Sequence, residues 1–241
     1  MLAAPPPVET LPPFPGLTPD GYDFLRALKR NNNRDWFTPR KDDYNAELRD
    51  PMRCLVAQLS RELPARGLPL SGDPRRAVFR VYRDTRFSKD KKPYKTHVAA
   101  VLSRDGDKRA PGALYVHAEP EANRIAGGFW RPDKTFLKRW RERLVSEPQE
   151  FLQIVEDLEA AGFSVETSGS TLTRMPRGFN DHREGPAAEY LRWKGGFVAL
   201  RTDIPDEAVQ SPAFADVVVE TAETLRPLLE YGWALVDGRD R

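Results

Sequence analysis

The 241-residue sequence has one cysteine, three histidines and three methionines, and nowhere a run approaching the roughly 20 apolar residues needed to span a bilayer. A single Cys54 excludes an internal disulfide, and the lack of any CxxC or paired Cys/His spacing argues against structural zinc of the finger type. Its context, PMRCLVAQL, reads as a helical core stripe, so Cys54 is expected to be a buried, inert thiol. Charge of one sign is lacking too. The 38 Lys and Arg are balanced by 36 Asp and Glu, and a net charge of +2 supplies no general pull toward nucleic acid or anionic lipid. Any electrostatic function must therefore be local. The opening MLAAPPPVETLPPFPG has neither the basic start nor the apolar stretch of a signal peptide, which makes the cytoplasm the expected compartment and a membrane partner unexpected.

Proline, by contrast, is abundant, with six residues between Pro5 and Pro15. Such a stretch favours extended polyproline-like backbone, so residues 1–17 are expected to form a disordered arm. Residues 18–235 are expected to make one α+β domain, with 236–241 a flexible tail. Thr18 and Pro19 read as a helix start, Tyr22, Leu25 and Leu28 share one helical face, and NNN at 31–33 reads as the stop. Two further helical pieces follow, broken near Pro51. The period then changes. AVFRVYR (77–83), THVAAVL (96–102), GALYVHAE (112–119) and NRIAGGFW (123–130) alternate or carry β-branched and aromatic residues between turn signals, which predicts a central, mainly antiparallel meander. Amphipathic helices return over PDKTFLKRWRERLV and PQEFLQIVEDLEAAG. A hairpin over FSVETSGSTLTR, a short helix at PAAEYLRWK, a last strand at GGFVALR and a final helix divided by Pro227 complete the expected fold, with helices packed against one sheet face.

The candidate site follows from charge. Residues 75–95 hold nine Lys or Arg against only Asp84 and Asp90, whereas residues 203–241 hold nine acids against three Arg. The basic segment could meet an anionic ligand or pair with acids of its own chain. Arg offers a planar fork to carboxylate or phosphate and Lys a point charge, and the segment carries both. A symmetric loop at 103–111 would set His97 opposite His117 on one sheet face, close to Tyr115 and Arg80. Those histidines are candidate acid or base catalysts. The expected binding set is Arg80, Arg83, Arg86, Lys91, Tyr94, Lys95, Tyr115 and Arg177, the last from the turn RMPRGF. No metal-ligand spacing such as HExxH occurs. Glu119, two residues after His117, points to the same face, but the surplus of cations nearby disfavours a metal, and none is expected. GGFW at 127–130 lacks the spacing of a phosphate loop and reads as a bulge or close backbone contact, so no cofactor is expected.

The stretch RDTRFSKDKKPYKT resembles the signature R-D-x-R-F-x-x-D-K-x-P-Y-K-T of a widespread family of microbial and fungal conserved hypothetical proteins, a domain of unknown function. Arg83, Asp84, Arg86, Phe87, Asp90, Lys91, Pro93, Tyr94, Lys95 and Thr96 carry it. NNNRDWF, LYVHAEP with His117, AGGFW and RMPRGF are similar too, so the resemblance spans roughly residues 18–235. It implies a single domain and brings no reaction, cofactor or substrate. From the residues themselves, the leading expectation is a pocket for a small phosphate- or carboxylate-bearing ligand, with a histidine as a possible catalyst. The alternatives are a nucleic-acid-binding or protein-docking module, and a purely structural loop in which Asp84 and Asp90 hold the arginines. Nucleic acid is the weaker partner, because the near-neutral whole suits contacts with one or two phosphates better than tracking along many.

Overall fold

A computed structural model describes residues 11–238. Helix α1 (Pro19–Arg30) begins where Thr18 Oγ1 accepts a hydrogen bond from Gly21 N at 3.0 Å, and it buries Tyr22, Leu25 and Leu28. Asn33 caps the short α2 (Arg34–Phe37) by accepting from Trp36 N. A 3-10 turn (Thr38–Arg40), α3 (Lys41–Tyr44) and a π-type turn (Asn45–Arg49) lead into α4 (Asp50–Ala65). Pro51 lies in the first turn of α4, directly after the π turn, and the expected break is that turn, a change of helical register beside a residue with no N–H to donate. Cys54 is buried on this helix, and burial pushes its thiol pKa up. The short α5 (Pro74–Ala77) follows.

Five strands form one antiparallel sheet: β1 (Val98–Ser103), β2 (Ala113–Ala118), β3 (Asn123–Gly128), β4 (Ser164–Thr167) and β5 (Phe197–Ile204), in the order β1-β2-β3-β5-β4. Helices α6 (Lys134–Ser146) and α7 (Pro148–Ala160) follow β3, α8 (Ala188–Leu191) precedes β5, and α9 (Asp206–Val209), α10 (Phe214–Thr224) and α11 (Arg226–Asp237) end the described chain. The fold is therefore α+β. Among the described residues no helix is long and apolar enough to cross a membrane.

Four expectations are corrected. The segment 77–83 is not a strand. Ala77 ends α5, and only isolated bridges, Val78↔Ala100 and Tyr82↔Tyr94, tie the rest down. The reason is a mismatch in register: Phe79 N bonds Ala99 O while Lys95 N bonds Val81 O, so Arg80 alone faces Thr96, His97 and Val98, a bulge that interrupts the ladder. The expected hairpin over 163–174 is also absent, because β4 pairs with β5 (Ser164↔Leu200 through Thr167↔Phe197). The arm is ordered from its later part on. Phe14 and Leu17 are buried, Phe14 lies against Phe214, and Leu17 N bonds Val209 O, while residues 1–10 lie outside the described residues. Finally, α11 extends through Val236 and Asp237 to an αL cap at Gly238, and residues 239–241 lie outside the description. Pro227 does separate α10 from α11, as its missing donor requires.

Packing divides the chain into two compact units. The first consists of residues up to Lys108 with Tyr115–Ile125 and Thr202–Glu220. The second consists of Arg109–Leu114, Ala126–Arg201 and residues from Thr221 on. The second is built around Phe129, which stacks on Phe136 at 5.0 Å and meets Phe197 at 5.3 Å, with Trp140, Phe151 and Tyr231 around Phe197. The GG of GGFW serves this approach. Gly128 has φ +143°, a side chain there would strike the backbone of Phe197 and Val198, and Phe129 N bonds Phe197 O at 2.7 Å. In α11, Gly232 touches the ring of Phe129.

Gly232 provides a test in which two effects have opposite signs. Alanine in a helix interior gains about 0.8–1.0 kcal/mol over glycine, but the added methyl would run into the fully buried Phe129 ring, and overpacking costs about 1–3 kcal/mol. Overpacking should win. Gly232→Ala is expected to lower the urea midpoint with an unchanged m-value, and a raised midpoint would show that Phe129 has room to move.

Candidate functional site

All of the site lies in the first unit and begins with the basic loop. The backbone pair Arg83 N to Pro93 O (2.8 Å) and the Tyr82↔Tyr94 bridge close residues 84–92 into a loop. Within it, Arg86 makes a two-pronged contact with Asp84, Nε to Oδ1 at 3.0 Å and Nη2 to Oδ2 at 2.7 Å. Arg83 Nη1 donates to Asp90 Oδ2 at 2.6 Å, and Lys91 Nζ donates to Thr85 O at 3.0 Å. Asp84 is held down to a pKa of about 2, chiefly by its hydrogen bonds from Arg86, and Asp90 is held below the usual carboxylate range, chiefly by Arg83. The loop thus neutralises much of its own charge.

Tyr94 anchors this loop and is a core residue. It is 3% exposed, stacks on Phe37 at 4.2 Å, and has its backbone N and O gripped by the side chain of Asn32, both at 3.0 Å. The Asn32 amide acts as a one-residue strand edge, a role no hydrophobic pattern reveals.

The two strand histidines do meet, with ring centroids 4.2 Å apart and planes at 33°. Tyr115, His117 and Glu119 follow at every second residue along β2 and its end, which places them on one face. Tyr115 Oη lies 2.8 Å from His117 Nδ1, and His117 Nε2 lies 3.1 Å from Glu119 Oε2. Thr96 Oγ1 donates to Glu119 Oε1 at 3.0 Å, and Arg124 Nη2 lies 3.2 Å from His117 Nε2. Burial, then the neighbouring His117, pushes the His97 pKa down to about 4; burial, then Arg124, pushes His117 down to about 3. Both rings are neutral at pH 7. Each therefore offers a lone pair, as a base or ligand would, and neither is poised as a cationic acid.

Beside them stands a group of cations that makes no ion pair among the described residues. Lys95 Nζ and Lys108 Nζ lie 5.0 and 4.7 Å from the centre of one ring, Phe79, whose edge meets Tyr115 at 6.2 Å. Lys108 Nζ also donates to Val78 O at 3.0 Å. The Lys95 pKa is lowered by burial and then by the charges of Lys108 and Arg80, and that of Lys108 by burial. Among the described residues none of Arg80, Lys95 and Lys108 pairs with a carboxylate.

Of the residues expected from the sequence, then, the structure brings together His97, His117, Tyr115 and Lys95, with exposed Arg80 within electrostatic reach of Lys95. It commits Arg83, Arg86 and Lys91 to the loop itself and Tyr94 to the core. Arg177 is exposed in the second unit, in a turn where Gly178 has φ +90°. Sequence reasoning missed Lys108, Thr96 and Arg124 as neighbours of the histidines. Lys108 sits in the turn RDGDKRAPG, where a lysine reads as ordinary surface, and Arg124 carries only the weak signal of alternation with His117 across a hairpin.

Fold and site together define an α+β protein in which two neutral histidines lie near cations that make no ion pair among the described residues. A family model described as "Conserved hypothetical protein (DUF2461)" matches residues 20–231, and the chain belongs to that family. No curated protein and no solved structure matched the chain.

The loop's ion pairs are exposed, so each contributes little to global stability and most to local order. A depressed carboxylate stabilises above its unfolded pKa and loses that contribution as pH falls through its folded value. Asp84 should accordingly titrate by NMR near pH 2, and move back toward the usual carboxylate range in Arg86→Gln. Tryptic cleavage within residues 84–92 should quicken several-fold in Asp84→Asn combined with Asp90→Asn, with the global melting temperature little changed. An unaltered cleavage rate would show that the loop is held by something else.

Proposed function

We propose that this protein binds a small molecule bearing a phosphate or carboxylate group, on the face formed by Lys95, Lys108 and Arg80 around Phe79, with the Tyr115 hydroxyl beside it. One observation carries this reading. Lys95 and Lys108, both half-buried, crowd one aromatic ring, and neither makes an ion pair with a carboxylate among the described residues; exposed Arg80 makes none either, although Asp84 feels its charge. Cations held together away from water repel one another, and an anion that joins them relieves that cost while gaining charge-assisted hydrogen bonds. The aromatic ring adds a flat apolar wall of the kind small-molecule sites use for orientation. The arginines of the loop contribute shape: each is already answered by Asp84 or Asp90, so the loop serves as a braced rim.

The test is a melting-temperature screen against inorganic phosphate, sugar phosphates, nucleotides and dicarboxylates. At 100 times the dissociation constant a ligand stabilises by about 2.7 kcal/mol, which the assay reads easily. Lys95→Gln and Lys108→Gln are expected to abolish the shift, and Arg86→Gln to leave it largely intact. A flat screen, or a shift lost in Arg86→Gln and kept in Lys108→Gln, would overturn this assignment. A second reading, docking of a polymer at the loop tip, is favoured by Phe87, which is 95% exposed with Arg86 beside its ring. Binding of short single-stranded RNA that Phe87→Ala removes and Lys108→Gln spares would select it.

A further inference from the structure

The geometry points to a second site next to the first: we propose that His97, His117 and Glu119 bind one divalent transition-metal ion, and that Arg124 competes with the metal for the same place. The inference goes beyond the anion reading and uses none of its cations. One ligand atom from each of the three side chains lies within 4.8 Å of the other two. A tetrahedral ion with bonds of about 2.1 Å needs its ligands roughly 3.4 Å apart, so closure asks for adjustments on the order of an ångström in side chains at the start of β1 and the end of β2. His117 Nε2 and Glu119 Oε2, at 3.1 Å, already satisfy that spacing.

The surrounding hydrogen bonds are those of a ligand set. Tyr115 Oη engages His117 Nδ1, which leaves Nε2 for a metal, and Thr96 donates to Glu119 Oε1, which leaves Oε2. Such outer partners orient metal ligands and select the tautomer. His97, half-buried beside them, has no hydrogen-bond partner among the described residues.

The protons of this cluster also need a cation. A neutral imidazole carries one N–H. If it sits on Nε2 it suits Glu119 but opposes the N–H of Arg124; if it sits on Nδ1, the Nε2 lone pair suits Arg124 but faces the Glu119 carboxylate directly. A positive centre between Nε2 and Oε2 satisfies both. Arg124 Nη2 now stands beside both, 3.2 Å from Nε2 and 3.9 Å from Oε2. It is an incomplete occupant, since its buried Nε has no hydrogen-bond partner among the described residues and its side chain is 40% exposed, free to swing into water. Two imidazoles and one carboxylate, with a position left open for water or substrate, suit zinc and its neighbours better than calcium or magnesium.

The experiment titrates the full chain with Co2+ and with Zn2+ in phosphate-free, chelator-free buffer, reading cobalt absorption and calorimetric stoichiometry. One ion per chain is expected. His97→Gln and Glu119→Gln, which remove direct ligands, should each weaken binding by more than the roughly 10–100-fold typical of losing an outer partner, with circular dichroism confirming the fold. Arg124→Gln should tighten it about tenfold or more, because it removes a like charge from the metal's position. That variant leaves all three ligands in place, so the proposal stays falsifiable even if a ligand variant fails to fold. Absence of stoichiometric binding in both the native chain and Arg124→Gln would overturn the site, as would binding that survives His97→Gln with Glu119→Gln. These outcomes are independent of the anion screen, which can fail or succeed without a metal.

Discussion

The side chain of Asn123, 1% exposed, has every hydrogen-bonding position filled. Its Oδ1 accepts from Tyr22 Oη at 2.5 Å and from Glu119 N at 3.1 Å, and its Nδ2 donates to Ile204 O at 3.2 Å and Asp206 Oδ1 at 2.8 Å. A buried amide left half-paired would be a liability, and one with all four partners specifies a single arrangement. Through it, α1, the turn after β2 and the end of β5 are held in one geometry. Arg26 repeats the connection at the surface, reaching Asp23, Glu121 and Asp206. The position of Glu119, and with it the His117 cluster, depends on this knot.

Charge in the first unit is sorted by how each group is answered. In the loop, acids sit two or seven residues from their arginines, so neutralisation is local and exposed, and it contributes order more than stability. Near Phe79 the cations come from separate points in the chain, Arg80, Lys95 and Lys108, and none of them makes an ion pair among the described residues. Positive charge thus has two meanings. Arginines paired with their own acids brace the loop; cations without ion pairs attract an anion. The bulge opposite Arg80 links the two, because it contains Thr96 and His97 and lies where the loop's short ribbon joins β1.

Much of the fold was legible. The 3.6-residue period of Tyr22, Leu25 and Leu28, the alternation in THVAAVL and GALYVHAE, and the missing donor of Pro227 are local physics, and each appears as expected. AVFRVYR misled because strand propensity describes a residue's fit to a pleated surface, whereas here the opposing chain carries a bulge that denies it a continuous ladder. Phe14 and Leu17 were hidden by the prolines around them, since composition averages over a segment and two apolar anchors suffice to pin it.

Within the site, the meeting of His97 and His117 could be derived from loop symmetry and strand pairing, and Tyr115 with Glu119 from the two-residue period of β2. Which cations remained unanswered could not. The sequence by itself determined the elements, the two-residue alternation that puts Tyr115, His117 and Glu119 on one side, and the presence of acids close enough to bind the loop arginines. Tertiary structure alone decided that Tyr94 would be buried against Phe37, that Lys108 would cross to Phe79, and that Arg124 would stand beside an imidazole and a carboxylate. The physical reason is range: backbone period and neighbouring charges act over a few residues, whereas burial and the balance of distant charges exist only once the chain has closed on itself.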